Sequence, residues 1–418
     1  MLINSNSLIE DVNYILLVLI AVFMPIGITA SSIIIILLVL LWILSKKFSQ
    51  TFVSLKNRKL LIPLIVFYLL HVIALLYTKN IDSGLFALEV RLSMLIFPIV
   101  IGGITITTSR IRKILLTFSY CIFFYSLLCY FVAVYKSNGM LFETSPAWRS
   151  PFNRENYTSP ILGIHPSYFS MYVIFAILIL FEDVITNIKA AKSKIKIASN
   201  LIIIPILIFT LFNLSSRTSL VIFVLFFLTF IYRTLNLFSN RKYKIISWGV
   251  FIFIGFAIYA LFFNEKLLYR YSDKNSYWRK ELQWVSAIDV FKKSPIVGVS
   301  PGDALDELMT SYEKYNYQEG VDTEFNVHNQ HLQTLNSLGL IGLILFELTL
   351  ILPFLKSVKQ KNYLIASFFI LFGLSVMTES MLRTQKGVIF YSFFSSLLLL
   401  YLYRVEEELT NKSIATHS

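Results

Sequence analysis

Long uninterrupted runs of apolar residues recur along the whole chain and constrain its fold more than any other feature. Many of these runs approach the roughly 20 residues that an α-helix needs to cross the hydrocarbon core of a bilayer. An ordinary soluble enzyme is therefore excluded, and an all-α polytopic membrane protein is predicted. The runs predict about twelve transmembrane helices, at residues 12–29, 30–44, 60–77, 92–105, 114–135, 167–181, 200–214, 218–238, 247–263, 333–355, 363–377 and 388–403.

The positive charges of the chain indicate how these helices are oriented. There are 37 Lys and Arg residues against 24 Asp and Glu, so the formal net charge is +13. With the N-terminus inside, the predicted inner loops hold 20 of the 37 cations and the short outer segments hold 8. This excess follows the positive-inside rule and predicts cytoplasmic termini. Cations spread over six inner loops do not indicate nucleic-acid binding. The polar stretch 4–13 lacks Lys and Arg, so no cleavable signal is expected.

The predicted helices leave one long outer segment, which divides the chain into three parts. Residues 1–263 hold the first nine helices, residues 264–331 form an outer loop, and residues 332–418 hold the last three helices and a cytoplasmic tail. The loop carries 11 of the 24 acidic residues. Helical patterns at 277–293 and 303–315, separated by a Pro/Gly turn, predict that it folds into a small helical cap.

Ionisable residues gather at the predicted outer ends of several helices. Arg217 lies in a tight turn between two spans, and His165 lies at the outer end of the sixth span. His328 lies at the mouth of the tenth span, and Arg279 lies on the first cap helix. Each has a purely structural interpretation, such as an arginine that reaches from a helix end to the interface. Their common location favours function, because ionisable groups at membrane depth are costly.

A metal site is the first alternative for this cluster. His328 and His331, together with Asp322 and Glu324, offer ligands. However, the i,i+3 spacing of the histidines differs from the i,i+4 spacing of H-E-x-x-H zinc sites, and hard divalent ions prefer oxygen ligands. Arginine side chains can bind a phosphate group and neutralise its charge in place of a metal ion. We therefore predict neither a metal nor a cofactor.

Four other residues receive structural interpretations. Cys121 and Cys129 lie on one predicted span and are expected to pack there without a disulfide or a metal. His71, in the middle of a span, is expected to be a hydrogen-bonded packing residue. Glu347, within the tenth span, is also a functional candidate, because ionisable groups at membrane depth are usually functional. Its structural interpretation is a partner for a buried donor.

Several motifs resemble those of the bacterial O-antigen ligase family, which is related to the O-antigen polymerases. The stretch WVSAIDVFKKSPIVGVSPGD (284–303) is similar to its W-x-x-A…P-x-x-G-x-G motif, and HNQHLQTLNSLGLIGL (328–343) to its H-N-x-x-L motif. SSRTSL, TESMLRTQKGVIFYSFF and HPSYFSMY resemble further elements. Two positions depart from the pattern. The family arginine usually lies four residues before the Trp, where this chain has Lys280 next to Arg279. The second Gly of G-x-G is Ser300.

This resemblance implies a metal-independent, inverting glycosyltransferase with a GT-C-like architecture in the bacterial inner membrane, and it implies that the outer loop 264–331 is periplasmic. The implied donor is a glycan on undecaprenyl diphosphate, and the acceptor is the lipid A–core sugar. His328 is the implied base. Arg217 and Arg279 are the implied diphosphate-binding residues. Lys280, His165 and His331 are secondary candidates.

Two alternatives remain open. An O-antigen or capsule polymerase uses the same donor but adds the glycan to another lipid-linked glycan; the large outer loop favours the ligase. A flippase or other transporter is not an enzyme. Transporters usually show repeated halves and broken helices near the bilayer midplane, whereas this chain has no repeat and its polar cluster is predicted at one face.

Overall fold

The computed structural model describes residues 5–136, 162–190, 193–214, 216–236 and 274–417. Within these ranges every regular element is a helix, which confirms the predicted all-helical class. The predicted span 247–263 lies outside the described residues. The α-helices are α1 (Ser5–Phe23), α2 (Ile28–Leu44), α3 (Phe48–Asn57), α4 (Ile62–Ala74), α5 (Ile81–Arg91), α6 (Ser93–Gly103), α7 (Thr108–Lys136), α8 (Pro166–Lys189), α9 (Lys194–Leu214), α10 (Arg217–Leu235), α11 (Lys274–Lys293), α12 (Ala304–Lys314), α13 (Gln318–Asp322), α14 (Gln330–Lys359), α15 (Tyr363–Val376) and α16 (Gln385–His417).

Eight helical stretches of the described residues are long and apolar enough to cross a membrane. They are Lys59–Tyr77, Ile81–Gly103, Thr108–Tyr135, Pro166–Lys189, Lys194–Leu214, Arg217–Leu235, Gln330–Lys359 and Gln385–Asn411. A ninth is present if α2 and α3, which are bent by 107° at their junction, count as one span. These numbers fit a polytopic membrane protein, but they do not confirm twelve spans. α15, which was predicted as a span at 363–377, has only 14 residues.

The fourth predicted span is wrong in its boundary. It was expected to begin at residue 92, with Arg91 in the preceding outer segment, but the helical stretch begins at Ile81. Asn80 caps this helix, because its side chain accepts a hydrogen bond of 3.2 Å from the backbone N–H of Ser83. Hydropathy alone places the start too late, since the first helical turns include polar residues and a capping group that apolar content does not detect. Arg91 therefore lies inside a candidate span.

Contacts between Cα atoms divide the chain into two compact units, which are residues 1–118 with 280–418, and residues 119–279. In the first unit, α16 packs on α6, and α14 packs on both α4 and α15. The apolar side chains of α16 from Val388 to Leu402 are almost entirely buried, so this helix forms the core of the unit.

The second unit is built around α8, which packs against α9 and α10 and is almost entirely buried. Polar interactions join α8 to both neighbouring helices. Glu182 of α8 forms an ion pair of 2.7 Å with Arg233 of α10. Asp183 accepts a hydrogen bond of 3.0 Å from the side-chain amide of Asn200 on α9. Polar groups buried among apolar helices need such partners to offset their loss of hydration.

A small helical lobe, defined here as residues 280–329, belongs to the first unit. It contains the last part of α11 together with α12 and α13, and the helices predicted at 277–293 and 303–315 are confirmed. Its core consists of the buried side chains of Ala287, Val290, Leu308, Tyr312, Tyr317 and Val327. The lobe therefore has its own apolar core and leads directly into α14.

Both cysteines are free thiols; Cys129 is buried and Cys121 is partly buried. His71 is buried, and its Nδ1 atom donates a hydrogen bond of 2.8 Å to the carbonyl oxygen of Phe67. The packing interpretation of this histidine is confirmed.

Candidate functional site

The H-N pair of the motif forms the start of α14. Asn329 is the N-cap residue, and its side-chain oxygen accepts hydrogen bonds from the backbone N–H groups of His331 at 2.9 Å and Leu332 at 3.2 Å. His328 has a φ of 48°, in the left-handed region that residues other than glycine rarely adopt. Its backbone N–H is held by the side chain of Asn326 at 2.7 Å. The asparagines on both sides thus fix the unusual backbone that directs the His328 ring.

The His328 ring forms a pair with Glu379, a residue that the sequence interpretation did not assign. Nδ1 of His328 lies 2.8 Å from Oε1 of Glu379, and the backbone N–H of Ser380 also donates to that oxygen at 3.3 Å. The Glu379 side chain is only 10% exposed, whereas that of His328 is 30% exposed. A carboxylate accepts the proton on Nδ1, so the neutral ring carries its lone pair on Nε2. The pair therefore leaves a proton acceptor at Nε2 of a partly exposed ring.

α14 is not the continuous helix that the sequence predicts. Gly339 has φ 62° and ψ −160°, which interrupts the helix. Nδ1 of His331 lies 2.7 Å from Oε1 of Glu347, and the rings of His331 and Phe346 are 5.7 Å apart. In a straight helix, residues 331 and 347 would be about 24 Å apart. The segment before Gly339 therefore folds back along the segment after it, and Glu347 acts as the partner of His331.

The reversal is held by the lobe. The backbone N–H groups of Val299 and Leu340 donate to the carbonyl oxygens of Asn336 at 2.8 Å and Pro295 at 2.9 Å. A Cβ atom on Gly339 would lie 2.3 Å from the carbonyl oxygen of Ile296. This close backbone approach and the positive φ explain why a glycine stands at the reversal.

Ser300 departs from the family motif in residue type but not in backbone conformation. Its φ is 96°, in the region that favours glycine. Its hydroxyl oxygen accepts a hydrogen bond of 3.1 Å from the backbone N–H of Asp303 and also forms a hydrogen bond with the hydroxyl of Thr78. The serine thus keeps the turn of a G-x-G motif and adds a contact to the segment before α5.

Asp303 joins the lobe to the N-terminal end of α5. Its carboxylate accepts hydrogen bonds from the backbone N–H groups of Lys79 at 3.0 Å and Asn80 at 2.8 Å. Burial acts to raise the pKa of Asp303. The hydrogen bonds from Lys79, Asn80 and Ser300, together with the positive charge of Lys79, outweigh burial and lower this pKa. The lobe is therefore attached through an ionised carboxylate.

The segment that carries Glu379 is connected to the start of α14 by a second contact. The backbone N–H of Leu382 donates to Oε1 of Gln330 at 2.8 Å, and Gln330 is almost completely buried. Leu382 belongs to a 3-10 turn, Met381–Arg383, between α15 and α16. This contact helps to hold Glu379 close to His328, because Glu379 lies three residues before Leu382 and His328 lies two residues before Gln330.

A groove of about 400 Å³ opens between α14 and α15. His331 and Glu347 line one part of it, and the rest is apolar, with Leu350, Ile351, Phe354, Phe369, Ile370, Gly373, Leu374 and Met377. Gly373 leaves open space, because nothing lies within 4 Å of a Cβ atom built there. The groove thus combines an apolar wall with one polar pair.

The other predicted site residues belong to different parts of the structure. Arg217 is the first residue of α10, and His165 is the N-cap of α8, where Nδ1 accepts from the backbone N–H of Ser167 at 3.4 Å. Arg279 is half-buried on α11, and the neighbouring Lys280 is exposed. Arg217, His165 and Arg279 lie in the second unit, whereas His328 and His331 lie in the first. That these groups meet in one site stays a prediction.

The metal alternative has no support among the residues that the structure describes. Within those ranges, no group of three or more His, Cys, Asp and Glu side chains is arranged to hold a metal ion. His328 and His331 do not share one carboxylate: each ring pairs with a different glutamate, Glu379 and Glu347.

Glu379 could not be assigned from local sequence. It lies in the TESMLR stretch that resembles a family element, but it is 51 residues from His328. The only signal in the sequence is an acidic residue next to a predicted outer turn. Such residues are common and ordinarily solvated, so only the tertiary contact gives it a role.

Comparison with known proteins gives one family match. A model of the family described as O-antigen ligase matches residues 202–346 of the chain. The matched segment includes Arg217, Arg279, His328 and His331, and it confirms the resemblance drawn from the motifs. No curated protein matches the chain significantly. The match supports a membrane enzyme of glycosyl transfer of the O-antigen ligase and polymerase type.

Proposed function

We propose that the protein is an O-antigen ligase, which transfers a glycan from undecaprenyl diphosphate to a hydroxyl of the lipid A–core oligosaccharide. In this proposal the reaction inverts the configuration at the anomeric carbon and needs neither a metal nor a cofactor. It takes place at the periplasmic face of the bacterial inner membrane, with both termini in the cytoplasm. The excess of cations in the predicted inner loops supports this orientation.

The observation that carries the proposal is the pair formed by His328 and Glu379. Glycosyl transfer to an alcohol requires removal of the hydroxyl proton as the oxygen attacks the anomeric carbon. In the proposed step, Nε2 of His328 takes this proton, and the new carbon–oxygen bond forms. The bond from the sugar to the diphosphate breaks, and its electron pair stays on the departing phosphate oxygen. Glu379 orients the ring and stabilises the imidazolium that forms, as a carboxylate does in a catalytic triad.

The proposed diphosphate ligands are Arg217 and Arg279. Arg217 begins α10, and a helix N-terminus already carries a partial positive charge. A cation at this position is unfavourable for the isolated helix but adds to an anion-binding site. The planar guanidinium groups match two phosphate oxygens each and compensate the charge that develops on the leaving diphosphate. Lys280, His165 and His331 remain secondary candidates.

The groove between α14 and α15 supports a lipid-linked donor. Its apolar wall suits a polyprenyl chain, and its polar pair, His331 and Glu347, belongs to the same folded-back helix that follows His328. A lipid chain bound in this groove would hold its diphosphate near the His328–Glu379 pair. The donor would then need no separate water-exposed binding pocket. Other membrane lipids are the natural competitors for this surface.

The experiment is glycan transfer by purified full-length protein, with undecaprenyl-diphosphate-linked glycan as donor and lipid A–core as acceptor. His328→Ala and Arg217→Ala should each lose transfer while retaining the thermal unfolding profile of the wild type. Arg110→Ala serves as the control, because Arg110 is an arginine that already pairs with Asp11. Full activity of the folded His328→Ala protein would disprove the assignment.

The acceptor separates the ligase from the polymerase alternative. Transfer to lipid A–core supports the ligase, whereas growth of glycan chains on undecaprenyl diphosphate, with no product on lipid A–core, would identify a polymerase. Both outcomes retain the same donor and the same proposed base.

A further inference from the structure

A short helix outside the proposed site begins close to the end of α2. α3 follows α2 after a bend of 107°. The exposed side chains of α2 near this end are apolar: Leu40, Ile43 and Leu44, which is 75% exposed. An apolar helix with such a surface faces lipid, so a helix bent from it by roughly a right angle lies along the surface of the bilayer.

Contacts on one face of α3 fix this bend. The indole Nε1 of Trp42, on α2, donates a hydrogen bond of 3.0 Å to the hydroxyl oxygen of Thr51, on α3. The rings of Trp42 and Phe48 meet edge to face, with their centroids 4.9 Å apart. Thr51 and Leu55 are buried, and α3 packs on α6. Because this face is held by the protein, the directions of the other faces are set.

The remaining surface of α3 has an apolar side and a polar side. Phe52 and Val53 are 66% and 60% exposed. Gln50 and Asn57 are also exposed, and they lie about 100° further around the helix. Large apolar side chains on one side of a surface helix, with amides on another, are typical of a helix that lies in a membrane interface.

The same segment is strongly basic. Residues 45–59 hold five cations and no acidic residue. One of the five, Arg58, is buried and donates a hydrogen bond to the carbonyl oxygen of Gly102. Within the described ranges, no carboxylate forms an ion pair with the other four, which are Lys46, Lys47, Lys56 and Lys59. These lysines can therefore bind an external anion without breaking a contact within the protein.

We propose that α3 and its flanking lysines form a binding surface for anionic phospholipids. Phe52 and Val53 enter the boundary between the headgroups and the acyl chains, and the lysines bind the lipid phosphates. Lys56 lies between the two apolar residues around the helix, and its long side chain carries the charge up to the headgroups. The charge distribution of the chain predicts that this is the cytoplasmic leaflet. The surface is independent of the proposed function.

Two observations favour lipid over a protein partner for this surface. The exposed apolar surface of α2 continues through Leu44 to α3, so the acyl chains that surround α2 also reach Phe52. Cations without a single acidic residue flank the apolar side chains, which matches an anionic surface that is extended rather than one carboxylate on a protein.

The first test measures the depth of α3 in nanodiscs of mixed phosphatidylglycerol and phosphatidylcholine. Full-length protein with Cys121→Ala and Cys129→Ala carries one nitroxide label, attached through Phe52→Cys or, as the matched control, through Gln50→Cys. The label at position 52 should be more accessible to molecular oxygen than to a water-soluble nickel complex, and the label at position 50 should show the reverse. Equal nickel accessibility at the two positions overturns the proposal and leaves this face to a soluble partner.

The second test measures headgroup preference, without any cysteine substitution. Thermal unfolding of the full-length protein in detergent micelles is followed during titration with phosphatidylglycerol or phosphatidylcholine. The wild type should be stabilised at lower mole fractions of phosphatidylglycerol. Lys46→Gln combined with Lys56→Gln should raise the half-saturating fraction of phosphatidylglycerol about threefold or more and leave that of phosphatidylcholine unchanged.

Lys359→Gln combined with Lys361→Gln is the matched control for this charge removal. It also removes two exposed lysines, but from the turn that follows α14. This variant should keep the wild-type preference for phosphatidylglycerol. Equal stabilisation of the wild type by the two lipids, or equal losses in the two double variants, overturns the proposed surface.

Discussion

Nδ1 of His328 lies 2.8 Å from Oε1 of Glu379, although 51 positions separate the two residues in the chain. The geometry matches the carboxylate–imidazole arrangement in which a buried acid selects the tautomer of a general base. His328 is the first residue of the H-N motif, so the contact gives a physical reason for the motif. Asn329 caps the helix, and His328 takes a left-handed backbone that turns its ring toward Glu379.

Glu379→Gln should lower the rate of glycan transfer about 100-fold or more, which is the range that a general base contributes. The amide keeps the shape of the side chain but cannot stabilise an imidazolium. Glu379→Asp should retain part of the activity. The measurement is the initial rate at saturating donor, with unfolding temperature as the control for folding. A rate unchanged by the amide would show that the carboxylate has no part in the reaction.

Asp303→Asn should make stability at neutral pH lower and less dependent on pH. The pKa of Asp303 is lowered in the folded protein, so its stabilising contribution is complete well above the ordinary value of 3.8. That contribution is lost as the pH falls through the lowered folded-state value. The unfolding temperatures of the two proteins should therefore differ most near pH 7 and converge as the pH falls below about 4. A difference that stays constant or grows in acid would contradict the assignment.

Gly339→Ala should destabilise the protein by about 1–3 kcal/mol, because the substitution forces a side chain into a positive φ against the backbone of Ile296. Gly373→Ala is the matched control. It lies in a helix with nothing within 4 Å of the added atom, so it should be neutral or slightly stabilising. Denaturant or thermal unfolding of both variants checks the contrast, and equal losses would show that the reversal does not depend on glycine.

Ser300→Ala should cost more stability than Ser300→Gly. Both substitutions remove the hydroxyl that contacts Thr78 and Asp303, but only alanine keeps a side chain at a φ of 96°. The order of the two unfolding temperatures is the measurement. A glycine variant that is less stable than the alanine variant would mean that backbone strain at this position is negligible.

Gly373→Leu should raise the KM for the lipid-linked donor several-fold while changing kcat little. The added side chain fills the groove between α14 and α15 without meeting other atoms near its Cβ. A donor analogue with a short prenyl chain should be affected less than the full-length donor. Equal increases in KM for the two donors would indicate that the lipid chain binds elsewhere.

Much of the fold could be predicted from the sequence. Apolar runs identify the helices, because a backbone in a bilayer must satisfy its hydrogen bonds locally, and this requirement acts on each segment separately. Helix boundaries were less accurate where a capping residue such as Asn80 begins the helix before the apolar run. The sequence also led to His328, through its H-N motif and its place at the mouth of a predicted span, and its role as the base stays a prediction.

Other features depend on contacts between distant residues and became visible only in the tertiary structure. The reversal at Gly339 brings His331 to Glu347, where periodicity predicts a single straight helix. The choice of Glu379 as the partner of His328 depends on how the start of α14 and the turn before α16 pack together. The sequence by itself determined the class of the protein, since bilayer insertion is a property of each segment. The tertiary structure decided which polar groups meet, because the energy of a buried charge depends on neighbours that are remote in sequence.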